Sequence, residues 1–218
     1  MIAIMSRPPA PDPFAAWPPG LIELATRRAF QPGQTLFTRG RAPTQVFWVE
    51  AGEVCLQRVA RGGQPLLLQR VHQGFVAEAS LQAARYHCDA VAARASTVWG
   101  FPRARLLEAM RESPQLALWW ASRLAEQLRA ARLRCERLSL KGAGERIVHA
   151  IETEGAGGVL VLAGTRRQWA EELALTPEAL YRSLARLRRE GWLRVRGGEL
   201  RLVAPPTRGR AARSPAPA

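Results

Sequence analysis

Near Ser113 the hydrophobic pattern of the chain changes period, and the change decides what can fold on either side of it. Upstream, Gly or Pro interrupts the sequence at short intervals, and strand-like runs lie between the interruptions: Thr35–Thr38, Gln45–Glu50, Glu53–Val59, Pro65–Val71, Ala90–Ala93 and Thr97–Phe101. Short strands at that spacing predict an antiparallel barrel or jelly roll. Arg61-Gly62-Gly63-Gln64 joins two of them, its Gly pair suited to the positive φ of a hairpin turn. Downstream, the pattern stays helical to about Leu140, roughly 28 residues or about 42 Å at 1.5 Å rise each.

Along that helix Ala117, Ala121, Leu124, Leu128, Ala131, Cys135 and Leu138 fall at alternating steps of four and three, the uncharged seam of a coiled coil. The seam predicts a partner helix and hence a homodimer; an ordinary buried helix in a monomer is the alternative. Leu118, Trp119 and Leu133 lie off the seam and are expected to pack on the helix's own domain.

Lys141-Gly142-Ala143-Gly144 breaks the helix. A second helix is expected over Glu145–Glu154, then a strand over Val159–Leu162. Thr165-Arg166-Arg167-Gln168 has the pattern of a capping box, so another helix starts there, with Trp169, Ala170 and Leu173 on its apolar face. After the turn at Ala174-Leu175, Thr176 is a good N-cap and Pro177 suits the first helical position. In this last helix Leu180, Leu184 and Leu187 point inward, which leaves Glu178, Tyr181, Arg182, Ala185, Arg186 and Arg189 outside. Trp192–Arg196 and Glu199–Val203 then flank Gly197-Gly198, a two-residue hairpin signal.

Helix, tight turn, basic helix and hairpin make a winged helix-turn-helix, whose second helix fits the major groove. Arg can grip guanine with two bonds and Glu can accept from cytosine, so Glu178 and Arg182, one turn apart, are placed to read neighbouring base pairs. Thr165, Arg166, Thr176, Tyr181, Arg186 and Arg189 complete the expected DNA-binding set, Arg166 as a phosphate contact. Charge agrees: 32 Lys+Arg against 18 Asp+Glu give a formal +14, and residues 163–213 carry +7 of it. Such an excess favours a polyanionic partner; a protein-interaction module with merely solvated charges is the alternative.

The fold class expected is therefore α+β, an N-terminal β jelly roll, a long dimerisation helix and a C-terminal winged helix-turn-helix. The expected boundaries are 1–20 for a Pro-rich arm outside the core, 21–112 for the barrel, with a short helix at Leu21–Arg28, 113–141 for the helix, 142–204 for the DNA-binding domain and 205–218 for a basic tail. Cys55, Cys88 and Cys135 are odd in number and far apart, which argues against disulfides and points to the cytoplasm. No run of 18 apolar residues occurs, so no membrane span is expected. His72, His87 and His149 are too scattered for a cupin-type metal site, and no nucleophile elbow or P-loop is present, so no enzyme is expected.

With these residues in view, the chain resembles the cyclic-AMP receptor protein/FNR superfamily of bacterial transcription regulators over nearly the whole of Phe30–Val203. Thr35-Leu-Phe-Thr-Arg-Gly40 and Val46-Phe-Trp-Val-Glu-Ala-Gly52-Glu-Val look like the family's opening cyclic-nucleotide-binding-type strands. The run Thr176–Gly191 looks like its recognition helix. The resemblance implies double-stranded DNA with a palindromic operator, RNA polymerase and a small-molecule effector as partners. It also implies a pocket at Gln73–Asp89, where the family holds the ribose and cyclic phosphate with Gly-Glu and Arg-Ser pairs. Glu78 matches, but Ala77 replaces the glycine, His87-Cys88 stand for Arg-Ser, Arg85 comes two positions early, and Ala131 and Arg132 occupy the adenine-facing helix positions. Neutral His cannot replace a bidentate guanidinium, so an effector other than cyclic AMP is expected at Glu78, Arg85, His87, Cys88 and Arg132. Two alternatives stay open: an effector-independent regulator with a degenerate barrel, and a haem or redox sensor through His87 and Cys88. An iron–sulfur cluster is not expected, since the N-terminal cysteines it needs are absent.

Overall fold

The computed structural model describes residues 14, 17–63 and 65–203. Compactness divides the chain into two units, Met1–Gln127 and Leu128–Ala218.

In the first unit, helix α1 (Pro19–Glu23) is followed by strands β1 (Thr26–Phe30), β2 (Thr35–Phe37), β3 (Gln45–Ala51), β4 (Val54–Val59), β5 (Pro65–Val71) and β6 (Gly74–Val76), a 3₁₀ turn at Glu78–Ser80, strands β7 (Asp89–Ala92) and β8 (Ser96–Pro102), and helix α2 (Arg103–Glu112). Two antiparallel four-stranded sheets result, ordered β1-β8-β3-β6 and β2-β7-β4-β5, in the jelly-roll arrangement. Gly52 turns β3 into β4 at φ +100°, and a side chain there would collide with the Ala95 carbonyl and Ser96 at 2.4 Å.

Strand β3 is buried on both faces, because successive side chains alternate across a pleated strand. Phe47 and Val49 enter the core between the sheets, with Phe37, Val54, Val76, Tyr86 and Cys88. Val46 and Trp48 enter a second core, between the outer face of this sheet and the helices, with Phe75, Phe101, Leu106, Leu116 and Trp120. Each large aromatic buried there contributes about 2–3 kcal/mol. Trp17 belongs to this core, 4% exposed and stacked on Phe75 at 5.4 Å. The expectation that residues 1–20 lie wholly outside the core is thereby corrected at its C-terminal end; residues 1–13 and 15–16 of that arm, the tail from 204 and Gln64 lie outside the described residues. The helix expected over Leu21–Arg28 is also corrected: it stops at Glu23, and Thr26 already pairs with Gly100 on β8.

Helix α3 (Pro114–Ser139) runs from the first unit into the second. In its first half Leu116 and Trp120 are buried in the aromatic core. The expected seam is turned away: Ala117 is half-buried and Ala121, Leu124, Leu128, Ala131, Cys135 and Leu138 are exposed. Trp119 and Leu133 are half-buried, whereas Leu118 is 69% exposed and does not pack as expected.

The second unit continues with α4 (Ala143–Glu154), β9 (Val159–Val161), α5 (Arg166–Glu172), α6 (Pro177–Arg189), β10 (Leu193–Arg196) and β11 (Glu199–Leu202). Its core gathers Ile147 and Ile151 of α4, Trp169 and Leu173 from α5 and its C-cap, Leu180, Leu184 and Leu187 of α6, and Leu193 and Leu200 of the hairpin. Strand β9 pairs with β11 and widens the hairpin to a three-stranded sheet.

Candidate nucleic-acid interface and effector pocket

Each helix of the helix-turn-helix is fixed by its own first turn. The Thr165 hydroxyl accepts from the Gln168 amide at 3.2 Å while the Gln168 side chain accepts from the Thr165 amide at 2.8 Å, the reciprocal capping expected from the sequence. Thr176 accepts from the Ala179 amide at 3.2 Å, with Pro177 next to it. Between the helices Ala174 takes the left-handed conformation at φ 51°, and the Leu175 amide closes on the Ala170 carbonyl at 2.9 Å. These contacts set the angle at which α6 leaves the turn.

Helix α6 buries Leu180, Ser183, Leu184 and Leu187 and exposes Glu178, Tyr181, Arg182, Ala185, Arg186, Arg188 and Arg189. The Glu178 carboxylate is held below the usual range by its own backbone amide and by the Thr176 hydroxyl, so it stands ionised as an acceptor. Arg186 lies across Gly144 of α4: a side chain there would meet its guanidinium at 2.7 Å. Arg166 is not free at the surface either, for its Nη2 donates to the Gly197 carbonyl at 3.3 Å and its guanidinium lies 6.0 Å from the Tyr181 ring centroid. Arg188 is an exposed cation of α6 outside the expected set, and Arg194 and Arg196 add two more on the wing strand.

The residues expected to form the effector pocket separate into different settings. Glu78 is 6% exposed and starts the 3₁₀ turn after Ala77, which adopts φ 76° where the family's pattern has glycine. Gln127 of α3 donates to its carboxyl. Burial pushes the Glu78 carboxyl up, against its own backbone amide, Gln127 and the charge of Arg123. His87 is exposed, with Nδ1 3.2 Å from the Ser80 hydroxyl. Arg85 is exposed and spends Nη1 on the Gly40 carbonyl at 2.7 Å. Cys88 is fully buried; burial, with the charge of Asp89 second, pushes its thiol up to about 11. Arg132 is exposed and belongs to the second unit.

Glu78 borders a cleft of about 680 Å³ whose other walls include Arg103, Met110, Arg111, Trp120 and Leu124, and which neither His87 nor Cys88 lines. Two partners of Glu78, Arg123 and Gln127, escaped the sequence reading. They continue the buried face of α3 at steps of three and four from Leu116 and Trp120, and that periodicity was the available signal. Arg123 reaches past Gly74, where a side chain would lie 3.1 Å from its Nη2, and its Nε is buried without a hydrogen bond among the described residues. Among the described residues no group of three His, Cys, Asp or Glu is placed to hold a metal ion, and no helix is long and apolar enough to cross a membrane.

Residues 27–113 match the family described as the cyclic nucleotide-binding domain, and residues 122–207 match the Crp-like helix-turn-helix domain. The chain belongs to the CRP/FNR family of transcription regulators. Helices α5 and α6 lie within the residues that match the Crp-like helix-turn-helix domain, and the family is one of transcription regulators.

Solved structures share the fold of this chain. FixK2 from Bradyrhizobium japonicum is 21% identical, with 83% of this chain and 93% of that one covered at a TM-score of 0.64. The c-di-GMP-responsive global regulator CLP of Xanthomonas campestris is 19% identical over 85% of this chain and 99% of its own, at 0.60. A CRP-family transcriptional regulator from Thermus thermophilus, TTHB099, is 21% identical over 81% and 92%, at 0.56. No curated protein matches the chain in sequence.

Proposed function

We propose that this CRP/FNR regulator binds a palindromic DNA operator as a homodimer, under the control of a small molecule other than cyclic AMP. The carrying observation is the seam of α3, uncharged from Ala117 to Leu138 yet exposed at Leu124, Leu128 and Leu138 by 38%, 53% and 40%. Exposed leucines in register along one helix favour a second copy of that helix. Each copy would then present one α6 to one half-site, the half-sites about 34 Å apart. On each half-site Arg182 grips guanine, Glu178 accepts from cytosine, and Thr165, Thr176, Arg186 and Arg189 stand near phosphates. RNA polymerase is the expected protein partner.

The choice of effector rests on the barrel wall. Arg85 is engaged by Gly40, and His87 stands where the family places its phosphate-holding Arg. A redox role for Cys88 is disfavoured, because a thiol buried and pushed up to about 11 stays protonated at neutral pH. One observation favours an effector-independent regulator as the second reading: Tyr86 stacks on Phe37 at 4.1 Å and fills the barrel interior beside Cys88.

Selection of bound duplexes from a random pool tests the DNA reading. The expected product is a palindrome, on which Arg182→Ala costs about 1–3 kcal/mol and relaxes one base position. Recovery of a single half-site, or of no preferred sequence, overturns it. Calorimetry with cyclic AMP at millimolar concentration should detect no binding; micromolar affinity overturns that part and implicates Arg123 beside Glu78.

A further inference from the structure

Arg166 is the first residue of α5, a costly place for a cation, because the positive end of the helix dipole and its free amides lie there. Its neighbour Arg167 resolves the same conflict by facing water, with 81% of its side chain exposed. Arg166 instead is half-buried. Its guanidinium donates to the Gly197 carbonyl at 3.3 Å and lies toward the face of Tyr181. Three pieces of the head meet at this one group: the start of α5, the exposed face of α6 and the turn of the wing. Gly197 sits at φ +57°, the left-handed conformation of a tight hairpin turn. The next residue ties the same turn to β9, since the Gly198 carbonyl accepts from the Leu162 amide at 3.0 Å.

Tyr181 is the other half of the arrangement. It stands between Glu178 and Arg182 on the outer face of α6 and is 49% exposed. Its hydroxyl forms no hydrogen bond among the described residues. A phenol carries one donor and acceptor lone pairs at the end of a rigid ring, and the ring itself can meet a thymine methyl. Two torsions place it, so fixing the ring fixes where the hydroxyl reaches.

We infer that Tyr181 is a specificity-determining residue of the DNA-binding helix and that Arg166 is a positioning residue that holds its ring and the wing turn in one arrangement. The inference rests on the reading of α6 as the DNA-binding helix. It departs from the sequence expectation that Arg166 chiefly contacts phosphate.

The two roles differ in what Lys can replace. A phosphate contact needs charge, which Lys keeps; a flat group shared between a ring face and a carbonyl needs the guanidinium. The test uses the full chain and the duplex selected from a random pool. Affinities are measured for that duplex and its single-base variants over a range of salt, for the parent protein, Arg166→Lys, Tyr181→Leu and the double variant. Arg166→Lys should keep the salt slope yet lose about tenfold of its discrimination, the scale of one base contact, at the same base pair where Tyr181→Leu loses it. The double variant should lose no more than either alone.

Arg166→Lys with parental discrimination would overturn the positioning role. So would an Arg166→Ala variant that weakens all duplexes alike and lowers the salt slope by about one, the signature of a lost phosphate contact. A DNA-free measurement stands beside these. In Arg166→Lys the Tyr181 ring protons should shift and the amides of the Gly197–Gly198 turn should exchange faster; unchanged spectra would refute the inference. If the parent protein selects no sequence, the DNA reading falls, while the spectra still decide whether Arg166 holds the wing and the ring.

Discussion

Ala77 and Ala174 both hold positive φ, at 76° and 51°, conformations that cost an L-residue about 1–2 kcal/mol. They nevertheless respond differently to glycine. Ala174 is exposed in the turn before α6, so Ala174→Gly loses no buried surface and should raise the stability of the second unit by about 0.5–1 kcal/mol in urea unfolding. Ala77 is 4% exposed in the barrel core, and Ala77→Gly would surrender a buried methyl worth about 0.8 kcal/mol, leaving a change near zero. Equal gains at both sites would mean that strain alone decides. Glu78 gives a pH dependence. Burial raises its folded pKa above the unfolded value, so its favourable contribution is complete below the ordinary carboxylate range and is lost as pH rises through the folded pKa. Glu78→Gln should therefore raise the melting temperature near pH 7, and the gain should shrink as the pH falls toward about 4. A gain independent of pH would refute the assignment. Local chemistry made Thr165, Thr176 and the Gly197-Gly198 turn legible from sequence, since cap and turn partners lie within a few residues. The pairing of Glu78 with Gln127 and Arg123 spans the unit: the periodicity of α3 marks the two helix residues as inward-facing but does not show what they meet.

Elements were legible where a period repeats and illegible where one is too short or has two masters. Helices α3, α4 and α6 were readable because each carries three or more turns closed by Gly, Thr or Pro, and the short α5 because Thr165 and Gln168 cap its start. Strand β1 was not, since four of its five residues are exposed and the one-sided pattern of a strand never develops. Strand β6, three residues and all buried, offers no alternation either. Helix α2 begins directly after β8 without a side-chain cap and was read only as part of the barrel. Arg137 shows a further contact that periodicity misses. It is 3% exposed on α3 and joins α4 through Glu154, Thr153 and His149, with Nε donating to His149 Nδ1 at 3.4 Å. Because the Glu154 side chain is 46% exposed, losing Arg137 leaves that carboxylate solvated rather than stranded, so the severe cost of a broken buried pair does not apply. Arg137→Ala should cost about 1–2 kcal/mol, from lost packing and hydrogen bonds, with faster amide exchange at the ends of α3 and α4. A loss within experimental error would show that apolar contacts alone hold α4 to the end of α3.

At the scale of the molecule, the order of elements carried the fold class, because short punctuated strands, a long helix and a helix-turn-helix with a wing are compatible with few architectures. The division inside α3 was not legible, since both units use that helix and only tertiary contacts separate them. The seam unites the remaining observations, for a head that reads one half-site binds weakly alone. Joining two heads makes the second contact intramolecular, and the resulting avidity can exceed either affinity by about 10²–10⁴ without any new contact. Leu128, 53% exposed in the middle of the seam, is the position where a charge would harm pairing most and folding least. Light scattering of the parent protein at micromolar concentration should give a dimer and Leu128→Glu a monomer with an unchanged far-ultraviolet spectrum. Mild oxidation should cross-link the parent through the exposed Cys135 of the same seam and should fail to cross-link the variant. On DNA, Leu128→Glu should lose about a hundredfold or more on the full palindrome yet bind an isolated half-site as the parent head does. A monomeric parent protein, or a Leu128→Glu variant that still binds the palindrome with full affinity, would place the dimer contact elsewhere or remove it.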